Sequence, residues 1–122
     1  MTNNLLFIPC YNCQKQIAGV LTKLPEKIDQ YFKEILIINN CSTDNTYHII
    51  KDFFNGHKYN IKINLIDNKQ NYGLGGSHKI AFDYACNNNF ENITVLHGDD
   101  QADINDIIHI LDCEVLLYFQ NY

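Results

Sequence analysis

The chain of 122 residues contains no arginine. Its nine lysines face fourteen acidic residues, and the net charge is -5 at pH 7. A nucleic-acid binder normally carries a basic face that neutralises phosphates, and this composition offers none. Proline is scarce too, with only Pro9 and Pro25. No stretch approaches the ~18 apolar residues that a membrane span needs. Ahead of the short apolar run Leu5–Ile8 there is no basic segment, so no secretion signal is expected. Five cysteines, an odd number, without such a signal fit reduced thiols. The expected location is cytoplasmic, at most peripheral to a membrane.

What is present is the material for one core. Hydrophobic residues make up 46% of the sequence, and the length suits a single domain over residues 1–122. Short apolar runs alternate with helical periods. Leu5–Ile8 reads as a strand stopped by Pro9, and Ile17, Val20, Leu21 and Leu24 have helical spacing up to Pro25. Glu34–Ile38 is a second strand, apolar on both faces as in a buried parallel sheet. Ser42, Thr43 and Asp44 supply an N-cap and a first-turn carboxylate for a helix through Phe54. Ile61, Ile63 and Leu65 alternate in a third strand. A glycine-rich turn at Asn71–Gly76 leads to a helix over Ser77–Cys86. Ile93–Leu96 is a fourth strand, Asp103 caps a helix through Leu111, and Val115–Phe119 reads as a fifth strand. The class is α/β, a mostly parallel sheet with flanking helices. Ligands of such sheets bind beyond the carboxyl ends of the strands. That rule points to Pro9–Asn12, Asn39–Ser42, Asn68–Gly76 and His97–Asp100, which are also the polar and glycine-rich places.

Taken one at a time, these segments admit plain readings. His97-Gly98-Asp99-Asp100-Gln101 offers two carboxylates and an imidazole for a hard divalent cation, or a loop whose acidic residues favour the next helix. Pro9-Cys10-Tyr11-Asn12 offers a ring to stack on a base, or a strand stop and a cap. Cys10 and Cys13 have the spacing of a thioredoxin-type pair, but such domains need a later cis-proline and Pro25 is the last. Packing as small apolar groups is the expected role of these cysteines and of Cys41, Cys86 and Cys113. The run Gly73-Leu74-Gly75-Gly76-Ser77-His78-Lys79 is neither a Walker A loop nor a dinucleotide fingerprint.

In series the segments carry more. Pro9-Cys10-Tyr11-Asn12 after a first strand, Asn39-Asn40-Cys41-Ser42-Thr43-Asp44-Asn45-Thr46 after a second, Asn71-Tyr72-Gly73-Leu74-Gly75 before a helix, and His97-Gly98-Asp99-Asp100-Gln101 after a later strand stand in the order found in family 2 glycosyltransferases. Over about residues 4–112 the chain resembles that family. The resemblance implies a GT-A (nucleotide-diphospho-sugar transferase) fold that takes a nucleoside diphosphate sugar, UDP- or GDP-linked, with Mg²⁺ or Mn²⁺. It places Pro9, Cys10 and Tyr11 beside base and ribose and Asn39 at the base edge. It brings Gly73 and Lys79 to the nucleotide, and Gly98 and Asp99 to the diphosphate. Asp99 and His97 become the metal ligands. Gln101 gives the motif a likeness to polyprenyl-phosphate glycosyltransferases, so the implied acceptor is a saccharide or a polyprenyl phosphate.

The departures are Cys13 where many members have Glu, Asn39 where Asp is usual, and His97 in place of the first Asp of Asp-x-Asp. No catalytic base is assigned. The carboxylates after the metal motif, Asp103, Asp106, Asp112 and Glu114, suit capping or solvent exposure, so the chain is expected to be the donor-binding half, cut short before the acceptor half. An unpaired sheet edge and an uncovered apolar face near Val115–Phe119 are expected to favour self-association. The competing reading is a nucleotide-binding α/β module that catalyses nothing.

Overall fold

The computed structural model describes residues 3–120, with side chains through residue 112. Four parallel strands form one sheet: β1 (Asn4–Cys10), β2 (Glu34–Asn39), β3 (Lys62–Asp67) and β4 (Asn92–Val95), in the order β3-β2-β1-β4. Around them lie α1 (Ile17–Thr22), α2 (Thr46–Gly56), α3 (Gly73–Asn87) and α4 (Ile104–Gln120), with a 3-10 turn at Ile28–Gln30.

The burial pattern follows from the pleat. Successive side chains of a strand point to opposite faces, so a strand covered on both sides must be apolar throughout. β1 and β2 are buried at every position. On one face Leu6, Ile8, Ile35 and Ile37 pack with Ile17 and Leu21 of α1, Ile50 and Phe53 of α2, and Ile104 and Ile108 of α4. On the other, Leu5, Phe7, Leu36 and Ile38 meet Ala81 and Ala85 of α3. Those two alanines let α3 approach the sheet closely. Glu34 is buried at the amino end of β2, where it accepts a hydrogen bond from the Tyr84 hydroxyl and pairs with Lys62 at 3.6 Å.

The mostly parallel α/β sheet with flanking helices is as the sequence leads one to expect, and four elements differ in detail. α1 ends at Thr22, and Leu24 closes a following turn on the Leu21 carbonyl at 3.1 Å. α2 starts at Thr46, after the Ser-Thr-Asp segment, and runs on through Asn55 and Gly56. Gly73–Gly76 are the first turn of α3 and not a separate loop; only Gly73 has a positive φ, +77°. Val115–Phe119 is not a fifth strand, because its backbone continues α4 to Gln120. Ile104, Ile107, Ile108, Leu111, Val115 and Tyr118 keep one helical period, and no glycine or proline intervenes. With the segment helical, the expected route to self-association through a bare strand edge there loses its basis.

Candidate functional site

The strand order fixes where a ligand can sit. From β1 the chain moves one way to β2 and β3, then returns to place β4 on the other side of β1. At such a reversal the connections leave in opposite directions and open a crevice beyond the carboxyl ends of the two strands. The β1–β4 ladder continues past the end of β4: Leu96 N–H donates to the Phe7 carbonyl at 2.9 Å and Gly98 N–H to that of Pro9 at 3.0 Å. Pro9-Cys10 and His97-Gly98-Asp99 are therefore held side by side, although 88 positions separate the first residues of these two segments in the sequence (97 − 9).

A cleft of about 310 Å³ opens there. After β1 it is bordered by Pro9, Cys10, Tyr11 and Cys13, after β4 by His97, Gly98 and Asp99, and at the start of α3 by Gly73, Leu74 and Ser77. Asn40 and Asn71 complete it. Six of the eight expected nucleotide-site residues, Pro9, Cys10, Tyr11, Gly73, Gly98 and Asp99, thus share one cavity with the expected ligand His97. Tyr11 is half exposed, at 49%, with its ring free to stack. Asn39 and Lys79 stand elsewhere. Asn39 is buried, donating to Asp67 Oδ1 at 2.8 Å and accepting from the Ser42 hydroxyl. Lys79 lines a neighbouring, more open groove with Asp67, Asn68, Tyr72 and Gly76, and pairs with Asp83 at 2.9 Å.

Side-chain staples hold the loops around the cleft. Asn12, with φ +45°, donates its N–H to Ser42 Oγ at 3.0 Å, while its Oδ1 accepts from Thr43 N–H at 2.8 Å. Cys13 N–H donates to Thr46 Oγ1 at 3.0 Å, and Thr46 Oγ1 donates to Asp44 Oδ1 at 2.6 Å. Asp44 Oδ2 accepts from Gln14 N–H at 3.2 Å. Burial pushes the Asp44 pKa up, but the hydrogen bonds from Thr46 and Gln14 outweigh it and hold the carboxyl below its ordinary value. On the other side, Asn40 Oδ1 accepts from Tyr72 N–H at 3.0 Å and Asn68 Nδ2 at 3.1 Å, and Asn40 Nδ2 donates to Asn71 Oδ1 at 2.8 Å. Asn71 Oδ1 also caps Gly73 N–H at 2.8 Å, which fixes the start of α3. None of these six positioning residues, Asn12, Asn40, Ser42, Asp44, Thr46 and Asn71, is among the residues expected to bind nucleotide.

The two adjacent aspartates separate in role. Asp99 faces the cleft and accepts from Gln101 N–H at 3.3 Å. Asp100, with φ +62°, turns to Lys23 of the segment after α1 and pairs with it at 2.9 Å. Among the described residues no three His, Cys, Asp or Glu side chains gather into a metal site. His97 and Asp99 border the cleft as two donors, a nitrogen and a carboxylate. Mg²⁺ is commonly held by one or two carboxylates with water and substrate phosphates supplying the rest, so this donor set fits an ion completed by substrate and not an all-protein cage. His97 also lies beside His78 of α3, with ring centroids 6.0 Å apart.

The pattern that defines the family described as Glycosyl transferase family 2 matches residues 6–112. The chain belongs to glycosyl transferase family 2. The fold of this family 2 chain is similar to that of S. aureus TarS 1-349, with 23% identity and a TM-score of 0.63 over 92% of this chain and 32% of that one. TarS 1-349 in complex with UDP-GlcNAc gives 22% identity and a TM-score of 0.62, with 92% and 31% covered. Its complex with UDP gives the same identity and TM-score, with 92% and 32% covered. The family 2 chain therefore spans about a third of the length of these structures. No curated protein matches it significantly. Among the described residues, no helix is long and apolar enough to cross a membrane.

Proposed function

We propose that this chain is a single domain that forms the donor-binding part of a nucleotide-sugar glycosyltransferase, and that the cleft at the ends of β1 and β4 takes the diphosphate of a UDP- or GDP-linked sugar. The observation that carries the reading is convergence: segments from opposite ends of the chain, each following its own strand, meet at the one reversal of strand order. The TarS structures, alike in fold, hold UDP-GlcNAc and UDP.

Tyr11, Pro9, Gly98, Asn39, Lys79, Asp99 and His97 have roles within that reading. The Tyr11 ring stacks on base or ribose, beside Pro9. Gly98 brings backbone close to the diphosphate without a side chain in the way. Asn39 acts through Asp67, whose carboxylate it orients at the edge of the neighbouring groove. Lys79 reaches that groove by leaving Asp83, an exposed pair that holds it weakly. Asp99 and His97 hold Mg²⁺ or Mn²⁺, which when bound offsets the charge of the departing nucleoside diphosphate as a Lewis acid. The acceptor is a saccharide or a polyprenyl phosphate; the likeness that Gln101 gives the motif to polyprenyl-phosphate glycosyltransferases favours the second.

Calorimetric titration with UDP and GDP, in Mg²⁺ or Mn²⁺ and again in EDTA, tests this. One nucleotide should bind, and bind more tightly with metal. Binding of neither would sink the donor site, and equal affinity with and without metal would sink the metal role. A metal-dependent donor hydrolysis assay separates an enzyme from a module that only holds nucleotide.

A further inference from the structure

Two thiols lie under the cleft with no chemical part in the reading above. Cys10 ends β1, and Cys13 opens the turn into α1. Between them Asn12 takes a positive φ of 45°. A Cβ built on Gly98 would lie 2.8 Å from Cys10 Sγ and 3.2 Å from Cys13 Sγ, so both sulfurs crowd one point on the cleft floor. Both thiols are free and both border the cleft, and the Cys10 thiol donates to the Ile8 carbonyl at 3.7 Å. Two sulfurs each within 3.2 Å of one point, with two residues between them in a Cys-x-x-Cys spacing, are placed for disulfide closure.

We propose that Cys10 and Cys13 are a redox-active dithiol that closes to an intramolecular disulfide when a small peroxide enters the cleft, and that the closed form binds nucleotide less tightly. The second half rests on the nucleotide site proposed above. Cys13 attacks first, since its hydrogen bond from Cys10, helped by Thr46 and the backbone of Tyr11, favours the thiolate. Its sulfur bonds to one peroxide oxygen and the O–O bond breaks. The departing hydroxide takes up the proton that Cys13 released, leaving water and a sulfenic acid. The Cys10 thiol then attacks the sulfenic sulfur. An S–S bond forms, the S–O bond breaks, and a second water leaves. The two thiols are oxidised and the peroxide is reduced to two waters; a reduced dithiol reverses the change by exchange. Closing to a bond of about 2 Å moves the sulfurs that lie against Gly98, between His97 and Asp99, and so reshapes the floor on which the diphosphate would lie.

The full chain is treated with hydrogen peroxide, its remaining thiols are blocked with iodoacetamide, and its peptides are mapped by mass. The expected product is a Cys10–Cys13 link that dithiothreitol opens, with the other three cysteines, Cys41, Cys86 and Cys113, alkylated. Cys10→Ser should leave Cys13 as a sulfenic acid that dimedone traps, and Cys86→Ser should change nothing. Oxidation confined to Cys41, Cys86 and Cys113, or Cys10 and Cys13 still open to alkylation after peroxide, would overturn the site; the unsubstituted chain decides this even if a variant fails to fold. Titration of reduced and oxidised chain with UDP and GDP reads the gating, with an expected loss of about fivefold or more. Equal affinity in both forms overturns the gating. A reduced chain that binds neither nucleotide overturns the gating together with the proposed function, and the peptide map still decides the dithiol.

Discussion

Replacing Thr46 with valine separates the hydrogen-bond work of this residue from its packing. Thr46 is fully buried, and its Oγ1 accepts the Cys13 N–H at 3.0 Å while donating to Asp44 Oδ1 at 2.6 Å. One hydroxyl thus ties the loop after β1 to the start of α2. Valine keeps the shape and removes both bonds. The Cys13 N–H is left buried without an acceptor, at about 1–3 kcal/mol, and a bond to a charged oxygen worth about 1.5–3 kcal/mol is lost. The methyl that replaces the hydroxyl returns about 0.8 kcal/mol. Asp44 keeps the N–H groups of Thr46 and Gln14, which softens the second loss. The net expectation is about 2–4 kcal/mol. For a domain of this size each kcal/mol moves Tm by roughly 4 °C, so Tm should fall by about 8–16 °C.

Thermal and urea unfolding followed by circular dichroism measures this, with Thr46→Ser as the control that keeps the hydroxyl. The pH dependence supplies a second readout. The Asp44 carboxyl lies below its ordinary value, so its contribution is fully present above its unfolded pKa and is lost as pH falls through the folded one. The gap between parent and Thr46→Val should therefore narrow in acid, yet persist, because the orphaned Cys13 N–H does not titrate. A Thr46→Val chain that melts within about 2 °C of the parent, or no lower than Thr46→Ser, would refute the staple.

Asp99→Asn should weaken metal-assisted nucleotide binding more than Asp100→Asn in calorimetry, because Asp99 faces the cleft while Asp100 is engaged with Lys23. Asp100→Asn should instead show a small loss of stability, under about 1 kcal/mol for so exposed a pair. Gly98→Ala should cost about 1–3 kcal/mol in urea unfolding, since the new methyl would stand 2.8 Å from Cys10 Sγ; combining it with Cys10→Ala should recover part of that, and strict additivity would refute the clash. Iodoacetamide should label Cys13 before Cys10 and continue to do so at lower pH. The reason is that the hydrogen bond from Cys10 holds the Cys13 pKa down, while the same contact and then burial push Cys10 well up.

The strands and the cleft were legible because they rest on local signals. A run such as Ile35–Ile38, apolar at every position, has few homes other than the middle of a parallel sheet, and β2 is buried throughout. Once strands are placed, the rule that ligands gather at their carboxyl ends picks out Pro9, Tyr11, Gly98 and Asp99 without any knowledge of strand order. The tail was misread because Val115–Phe119 is rich in β-favouring residues, and propensity over five positions is weaker than a helical period already running from Ile104. The glycines at 73–76 read as a turn because glycine is a poor helix former. They are helical because Asn71 caps the first free N–H and Ala81 and Ala85 fasten the same helix to the sheet.

The staples were hidden for a different reason. Asn12, Ser42, Asp44 and Thr46 each satisfy a local rule for caps and turns, so nothing in the sequence asks for a second explanation. Their partners lie about 30 positions away, Asn12 with Thr43 and Cys13 with Thr46, and pairing at that range is set by which strand ends adjoin. The density of Asn, Ser, Thr and Asp across Asn39–Thr46 was the available signal, since eight residues with so many side-chain acceptors exceed what one helix cap needs. The same logic separates Asn39 from the cleft. Its place at the end of β2 is legible, whereas its amide faces inward to Asp67 because β3 is the neighbour in register there, with Asn39 opposite Asp67. A base-edge role for Asn39 must therefore pass through Asp67. Asp67→Ala should then reduce nucleotide affinity at least as much as Asn39→Ala does, and an unchanged affinity in Asp67→Ala, measured in the same titration, would detach the second groove from the nucleotide site.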